Sequence, residues 1–167
     1  CHETGHFFGL PDLYDIDGSS QGIGSWCLMA NSWGFDNSQL RPPHFSAWCR
    51  QQLGWVTPTV ITPGTYDAPR VAVTPTIYRI NSGYPTNEYL LIENRQPYGF
   101  ENIIPQGGLC IWHIDDTKTN NTQEGHPWQR GWPANGNHYR VVLLQADGLY
   151  EMERGLNRGN AWVVYHG

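Results

Sequence analysis

The residues best suited to chemistry stand at the start of the chain, in the segment CHETGHFFGLPD (residues 1–12). His2 and His6 are four positions apart, and residues i and i+4 of a helix lie on one face. The two imidazoles can therefore bind a single metal ion. Zinc is favoured, because it binds neutral imidazole and a catalytic zinc uses three protein ligands and one open position. Glu3 lies about 100° further round the helix, where it can accept a proton from water rather than bind the metal.

The third metal ligand is predicted to follow a sharp turn. Gly9 suits the left-handed residue that ends many helices, and Pro11 cannot continue a helix. Asp12 is then the first metal-binding side chain after the turn, which gives the pattern H-E-x-x-H-x-x-G-x-x-D. This is the extended metzincin motif with Asp in place of the usual third His. Asp15 and Asp17 lie in the same loop, and either could replace Asp12 as the ligand.

The loop of residues 10–25 is also a candidate calcium site. Its carboxylates stand close together and are followed by Gly18, and oxygen-rich loops of this kind can bind calcium. The spacing is not that of an EF-hand, because Leu13 stands where the first ligand would be. The alternative is that the Asp residues stabilise turns through hydrogen bonds to the backbone. Zinc is the predicted cofactor, and calcium is a candidate for a second.

Two elements are predicted to support the metal site. Met29 follows the motif in an apolar stretch, an order typical of the Met-turn that forms an apolar floor under the metal. The alternative is an ordinary core methionine. Residues 43–53 predict a second helix, with Pro43 at its first position and Gly54 just after its end.

From residue 56 onward the pattern changes to that of β-strands. Branched and aromatic residues bounded by turn residues mark the strands. The strongest are residues 77–80, 88–94, 109–115 and 139–145, with shorter extended pieces at 56–61 and 65–67. We therefore predict an α+β protein. Residues 1–55 would form a zincin lower subdomain of active-site helix, Met-turn and second helix, and residues 56–167 an antiparallel β-rich subdomain packed on it.

One histidine outside the motif has two interpretations. In the strand of residues 109–115, His113 and Asp115 share one face, so a second metal site or an acid–base pair is conceivable. No further ligand is spaced nearby, and a buried, hydrogen-bonded histidine is the favoured interpretation. The polar segment that follows, residues 116–137, is predicted to be a long surface loop.

Composition limits the classes of partner. The net charge of -5 argues against nucleic acid and leaves no polybasic patch for a membrane surface. No apolar run reaches the length of a membrane span. The four cysteines are Cys1, Cys27, Cys49 and Cys110, and none belongs to a C-x-x-C pair. They allow two disulfides in any of three pairings, or buried free thiols, and both interpretations stay open.

Taken together, the motifs resemble the immune inhibitor A family of secreted bacterial zinc metalloproteases. The matching stretches are HETGHFFGLPDLYD (2–15), WCLM (26–29), PHFSAW (43–48), LGW (53–55), NEYLLIENRQ (87–96), GLCIWHID (108–115) and QADG (145–148). The resemblance implies a secreted zinc endopeptidase made with a pro-segment. It implies that His2, His6 and Asp12 bind zinc, that Glu3 is the general base and that Met29 forms the Met-turn.

The start of the chain leads to a further expectation. An active-site helix normally has residues before its first histidine, so we expect residues 1–167 to be the C-terminal part of a longer protease. The partners would then be a protein or peptide substrate and the N-terminal half of the same protease, and the isolated segment could be inactive. The alternative function is a non-catalytic structural, carbohydrate-binding or protein-binding module. Glu3 favours the enzyme, because a site without activity need not keep a general base.

Overall fold

The computed structural model describes residues 1–166. It contains two short helices, two 3-10 turns and five strands. The helices are α1 (His2–Phe7) and α2 (Ala47–Gln52), the 3-10 turns are Gly24–Trp26 and Gly99–Glu101, and the strands are β1 (Thr59–Val60), β2 (Tyr78–Ile80), β3 (Glu88–Arg95), β4 (Gly108–Asp115) and β5 (Val141–Leu143). Long irregular segments connect them, as the high content of Gly (19) and Pro (12) favours.

Helix α1 ends where the glycine predicted it would. Phe8 closes the helix, and Gly9 follows with a φ of 86°, the left-handed region that glycine enters without strain. The amide of Leu10 then donates to the carbonyl of Gly5 at 3.1 Å. This closure turns the chain back, so that residues after Gly9 return towards the face that carries the histidines.

Helix α2 begins later than the sequence pattern indicated. The prediction of Pro43 as its first residue was wrong, because Ser46 is the N-cap and its hydroxyl accepts a hydrogen bond from the amide of Cys49 at 3.3 Å. Residues 43–45 therefore precede the helix. Its predicted end is confirmed, since Gly54 has a φ of 69°.

The five strands form one sheet in the order β1-β2-β3-β4-β5. Strands β3 and β4 pair over their full length in antiparallel register, from Glu88 opposite Asp115 to Arg95 opposite Gly108. Strands β2 and β5 extend the sheet in antiparallel register. The expectation of a wholly antiparallel sheet was wrong at one edge, because β1 pairs with β2 in parallel register. The extended piece expected at residues 65–67 is not a strand.

A single hydrophobic core joins the two parts of the chain. Trp26, Met29 and Trp48 from residues 1–55 belong to the same buried cluster as Tyr89 and Trp112 from the sheet. Burying each such side chain contributes roughly 1.5–3 kcal/mol. The loop around Met29 is therefore packed onto the sheet rather than suspended in solvent. Among residues 1–166, none of the helices is long and apolar enough to span a membrane.

Candidate metal centre

Three predicted ligands come together on one side of α1. The Nε2 atoms of His2 and His6 lie 3.0 and 3.1 Å from the same carboxylate oxygen, Oδ1 of Asp12. One ligand atom from each residue lies within 4.8 Å of the other two. Within residues 1–166 this is the only group of three or more His, Cys, Asp or Glu side chains with ligand atoms that converge in this way.

Backbone carbonyls fix the tautomer of both histidines. Nδ1 of His2 lies 2.8 Å from the carbonyl of Leu28, and Nδ1 of His6 lies 2.8 Å from the carbonyl of Leu10. A carbonyl oxygen can only accept, so each Nδ1 carries the proton and donates it. Nε2 of each ring is thereby turned towards the Asp12 carboxylate. Both Nε2 atoms converge on the same oxygen of Asp12, and two imidazoles with one carboxylate form a ligand set that suits zinc.

Asp15 and Asp17 lie in the turn after Asp12 and do not join this group. The buried Asp15 carboxylate accepts hydrogen bonds from the hydroxyls of Ser19 and Ser20 and from the amides of Asp17 and Ser20. Asp17 accepts from the amide of Ser19 at 2.9 Å, and that bond lowers the pKa of the Asp17 carboxyl. The turn itself therefore occupies the carboxylates that sequence analysis offered as alternative ligands or as a calcium site.

Met29 packs against α1 between the two histidines. Gly5 is buried, and a Cβ atom built at this position would overlap Sδ of Met29. The carbonyl of Met29 accepts from the amide of Leu13 at 2.8 Å, which ties the methionine to the loop that carries Asp12. The arrangement gives the helix an apolar support on the side away from the solvent.

The open side of the site carries Glu3 and Tyr14. Glu3 is exposed on α1. The ring of Tyr14 lies 6.3 Å from that of His2 and nearly parallel to it. Desolvation, hydrogen bonding to Asp12, and the negative charges of Asp12 and Glu3 raise the pKa of Tyr14. The two carboxylates and the phenol therefore share one electrostatic environment beside the candidate metal position.

Sequence analysis missed the part played by Leu28. The Leu28 carbonyl orients His2, and no side-chain pattern indicates a backbone acceptor 26 residues away. Tyr14 follows Asp12 by two residues, but only the structure places its ring beside His2.

His113 does not form the second metal site considered above. Its Nε2 lies 3.0 Å from Oε2 of Glu88, and burial lowers the pKa of this histidine. Asp115 instead contacts Nε2 of His138 at 2.6 Å. The favoured interpretation of a hydrogen-bonded histidine is confirmed.

All four cysteines are free thiols. The Sγ atoms of Cys27 and Cys49 lie 3.8 Å apart, in contact but not bonded, and both side chains are buried. Of the two interpretations left open by the sequence, the structure has the free thiols.

The motif and its geometry agree with a comparison against known families. Residues 1–56 match the immune inhibitor A peptidase M6 catalytic domain. The match supports a metalloprotease function and a metal cofactor for this part of the chain.

Two curated relatives carry the same segment. Both are named pre-pro-metalloprotease PrtV, from Vibrio cholerae serotype O1 strains M66-2 and ATCC 39315 / El Tor Inaba N16961. Each is 38% identical over 56 residues, which is 32% of this chain and 6% of the relative. The chain thus matches only a small part of the length of these relatives. No solved structure matches it significantly.

Proposed function

We propose that the chain carries the metal centre of a zinc-dependent endopeptidase of the metzincin type. The observation that carries the proposal is the convergence of His2 Nε2, His6 Nε2 and Asp12 Oδ1, with both histidines held in the tautomer that a metal requires. The match of residues 1–56 to a peptidase catalytic domain supports the same conclusion.

When bound, zinc would polarise the scissile carbonyl and lower the pKa of a coordinated water to about 7. Glu3, exposed beside the histidines on α1, accepts a proton from the attacking water and transfers it to the leaving nitrogen. A carbon–oxygen bond forms, the carbon–nitrogen bond breaks, and the products are a carboxylate and an amine. Met29 packs against Gly5 and so supports the helix that carries Glu3 and the two histidines.

The remaining parts of the proposal concern the whole protein. The substrates are proteins or peptides. The relatives' description as metalloproteases supports this. Secretion is proposed from the family resemblance and from the relatives' description as pre-pro-metalloproteases. Calcium stays a candidate second cofactor, although turn hydrogen bonds already engage Asp15.

Zinc content and hydrolysis test the proposal together. The purified protein should bind one equivalent of zinc, measured by metal analysis after dialysis, and should cleave casein or a quenched fluorescent peptide. Glu3→Gln should keep the zinc and lose at least about 100-fold in rate. Asp67→Asn removes a charge from another exposed carboxylate and should change neither property.

The possible results separate the alternatives. Absence of zinc binding would overturn the proposal. Unchanged hydrolysis in Glu3→Gln would contradict the role of Glu3 alone. A zinc-loaded wild type without hydrolysis would favour the non-catalytic binding module.

A further inference from the structure

The orientation of His2 depends on a backbone segment outside its own helix. The Leu28 carbonyl that accepts the hydrogen bond from Nδ1 of His2 belongs to residues 26–28, which start at the last residue of the 3-10 turn Gly24–Trp26 and end just before Met29. A shift of this carbonyl would turn the imidazole and move Nε2 away from Asp12. Whatever fixes residues 26–28 therefore also fixes the metal ligand.

A buried ion pair at the end of β3 lies next to this segment. Arg95 is the last residue of β3 and is fully buried, and Glu101 in the following 3-10 turn is 2% exposed. Nε of Arg95 donates to Oε2 of Glu101 at 3.2 Å, and Nη2 contacts Oε1. The carboxylate therefore contacts the guanidinium at two points.

Each member of the pair also makes a bond that leads to the metal ligand. Nη1 of Arg95 donates to the carbonyl of Trp26. Oε1 of Glu101 accepts from the amide of His44 at 3.0 Å, and the carbonyl of His44 accepts from the amide of Leu28 at 3.2 Å. The pair therefore holds the segment at both ends, directly at Trp26 and through one residue at Leu28.

Further charged residues surround this pair. Glu93, 1% exposed, lies 3.8 Å from Arg95 and accepts from Nη1 of Arg50 at 3.0 Å, so two cations face two anions in the core. Burial, with the positive charges of Arg95 and Arg50, lowers the pKa of His44 to about 4, so this ring adds no third cation at neutral pH. Hydrophobic residues would fill the same space without the desolvation cost of four charges, which points to a role for the pair beyond stability.

We propose that Arg95 and Glu101 are positioning residues for the metal site, which hold the Leu28 carbonyl where it orients His2. The inference rests on the proposed function, because it needs a metal that His2 binds. It adds two residues to the machinery of the centre: Arg95 at the end of β3 and Glu101 in the 3-10 turn that follows, both about 90 to 100 positions along the chain from the motif. Removal of a partner that orients a metal ligand typically weakens metal binding by about 10- to 100-fold.

Metal affinity, measured apart from stability, tests the proposal. Glu101→Ala removes the acceptor for the His44 amide and should raise the zinc dissociation constant about 10- to 100-fold, measured by competition with a chromogenic chelator. Its cobalt-loaded form should show an altered visible spectrum, because the geometry of His2 has changed. Glu101→Gln keeps an oxygen in the same place and should restore most of the affinity.

Two further variants separate positioning from folding. The double variant Arg95→Met with Glu101→Leu removes both charges together, so neither charge is left buried without a partner. It replaces Glu101→Ala in the test if that variant does not fold. Its zinc dissociation constant should rise as much as that expected for Glu101→Ala. Ile114→Ala is the matched control, since Ile114 is fully buried on β4 near the end of the sheet opposite to Arg95. It should lower the melting temperature and leave the zinc dissociation constant unchanged.

The outcomes distinguish this inference from the proposed function. Wild-type affinity in Glu101→Ala, or in the double variant, would overturn the positioning role while the zinc site stands. Equal losses in Ile114→Ala would also overturn it, since affinity would then follow stability alone. Equal losses in Glu101→Gln and Glu101→Ala would contradict the route through the His44 amide. A wild type that binds no zinc would overturn the proposed function and this inference with it.

Discussion

Sδ of Met29 occupies the space that a side chain at position 5 would need. Gly5 stands between the two histidines of α1, and the thioether packs directly onto its Cα face. Since Gly5 does not adopt a positive φ, glycine is required here by the close approach of Met29 and not by the backbone conformation. Glycine at the fourth position of the motif, H-E-x-G-H, thus allows Met29 to pack close to the helix axis.

We expect Gly5→Ala to destabilise the protein by about 1–3 kcal/mol, the usual cost of overpacking a core. The direction of this change in the free energy of unfolding is informative, because replacing glycine by alanine at an unstrained helix position would otherwise stabilise the protein by up to about 1 kcal/mol. The free energy of unfolding from urea titrations would show the loss. In the Met29→Ala background the same change should be neutral or stabilising, and a loss of the same size there would contradict the steric explanation.

Asp12 and Asp15 should respond to substitution in opposite ways. Asp12→Ala removes a ligand and should weaken zinc binding by more than the roughly 10- to 100-fold expected for an outer partner. Asp15→Ala should keep zinc affinity and lower the free energy of unfolding by about 1–3 kcal/mol, because this buried carboxylate holds the Ser19–Ser20 turn. Titration calorimetry and thermal denaturation of both variants would check this. The reverse pattern would assign the third ligand to Asp15.

Glu153 should make the protein less stable as pH rises. Burial raises the pKa of this carboxyl from 4.5 to about 7. The folded state therefore keeps a proton that the unfolded state has already lost between these values, and the free energy of unfolding falls as pH rises through this window. The shift corresponds to about 3 kcal/mol in total.

Glu153→Gln removes this titration and keeps a polar partner for Gln145, whose side-chain amide donates to Glu153. The stability difference between variant and wild type should grow in favour of the variant by about 3 kcal/mol from pH 4.5 to above pH 7. Urea titrations across that range would measure it. A difference that stays constant with pH would show that Glu153 is already ionised in the folded protein at low pH.

The parts of the site that the sequence predicted are those set by local spacing. Histidines four apart, a glycine after the helix and the next carboxylate are all fixed within twelve residues, and α1 with Asp12 follows from them. Strands β3 and β4 could also be predicted, because branched and aromatic residues bounded by turn residues mark both segments.

The parts that the sequence did not predict depend on contacts between distant residues. The parallel pairing of β1 with β2 joins two short segments about twenty residues apart, and neither carries a pattern that sets its direction. The start of α2 was assigned to Pro43, although Ser46 offered the stronger N-cap side chain. Nothing in the sequence distinguishes Arg95 and Glu101 from other charged residues near the end of a strand. Only the fold brings Arg95 to the carbonyl of Trp26 and Glu101 to the amide of His44.

The last prediction concerns the thiols. Cys1 is exposed, while Cys27, Cys49 and Cys110 are buried, and a thiol reagent needs both access and the thiolate. Hydrogen bonds from the amides of Ser46 and Met29 to Sγ of Cys27 saturate this sulfur inside the core. A chromogenic disulfide reagent should therefore titrate one thiol in the native protein and all four cysteines once it is unfolded without reductant.

Cys1→Ser is the matched control, and it should abolish the fast phase and leave three thiols after unfolding. Only two thiols in the unfolded, unreduced wild type would contradict the prediction and indicate a disulfide. The Cys27 and Cys49 sulfurs, 3.8 Å apart, are then the first pair to test. A small movement of α2, which carries Cys49, towards residues 26–28 would bring the two sulfurs within bonding distance. Peptide mapping of the alkylated protein would identify the bonded residues.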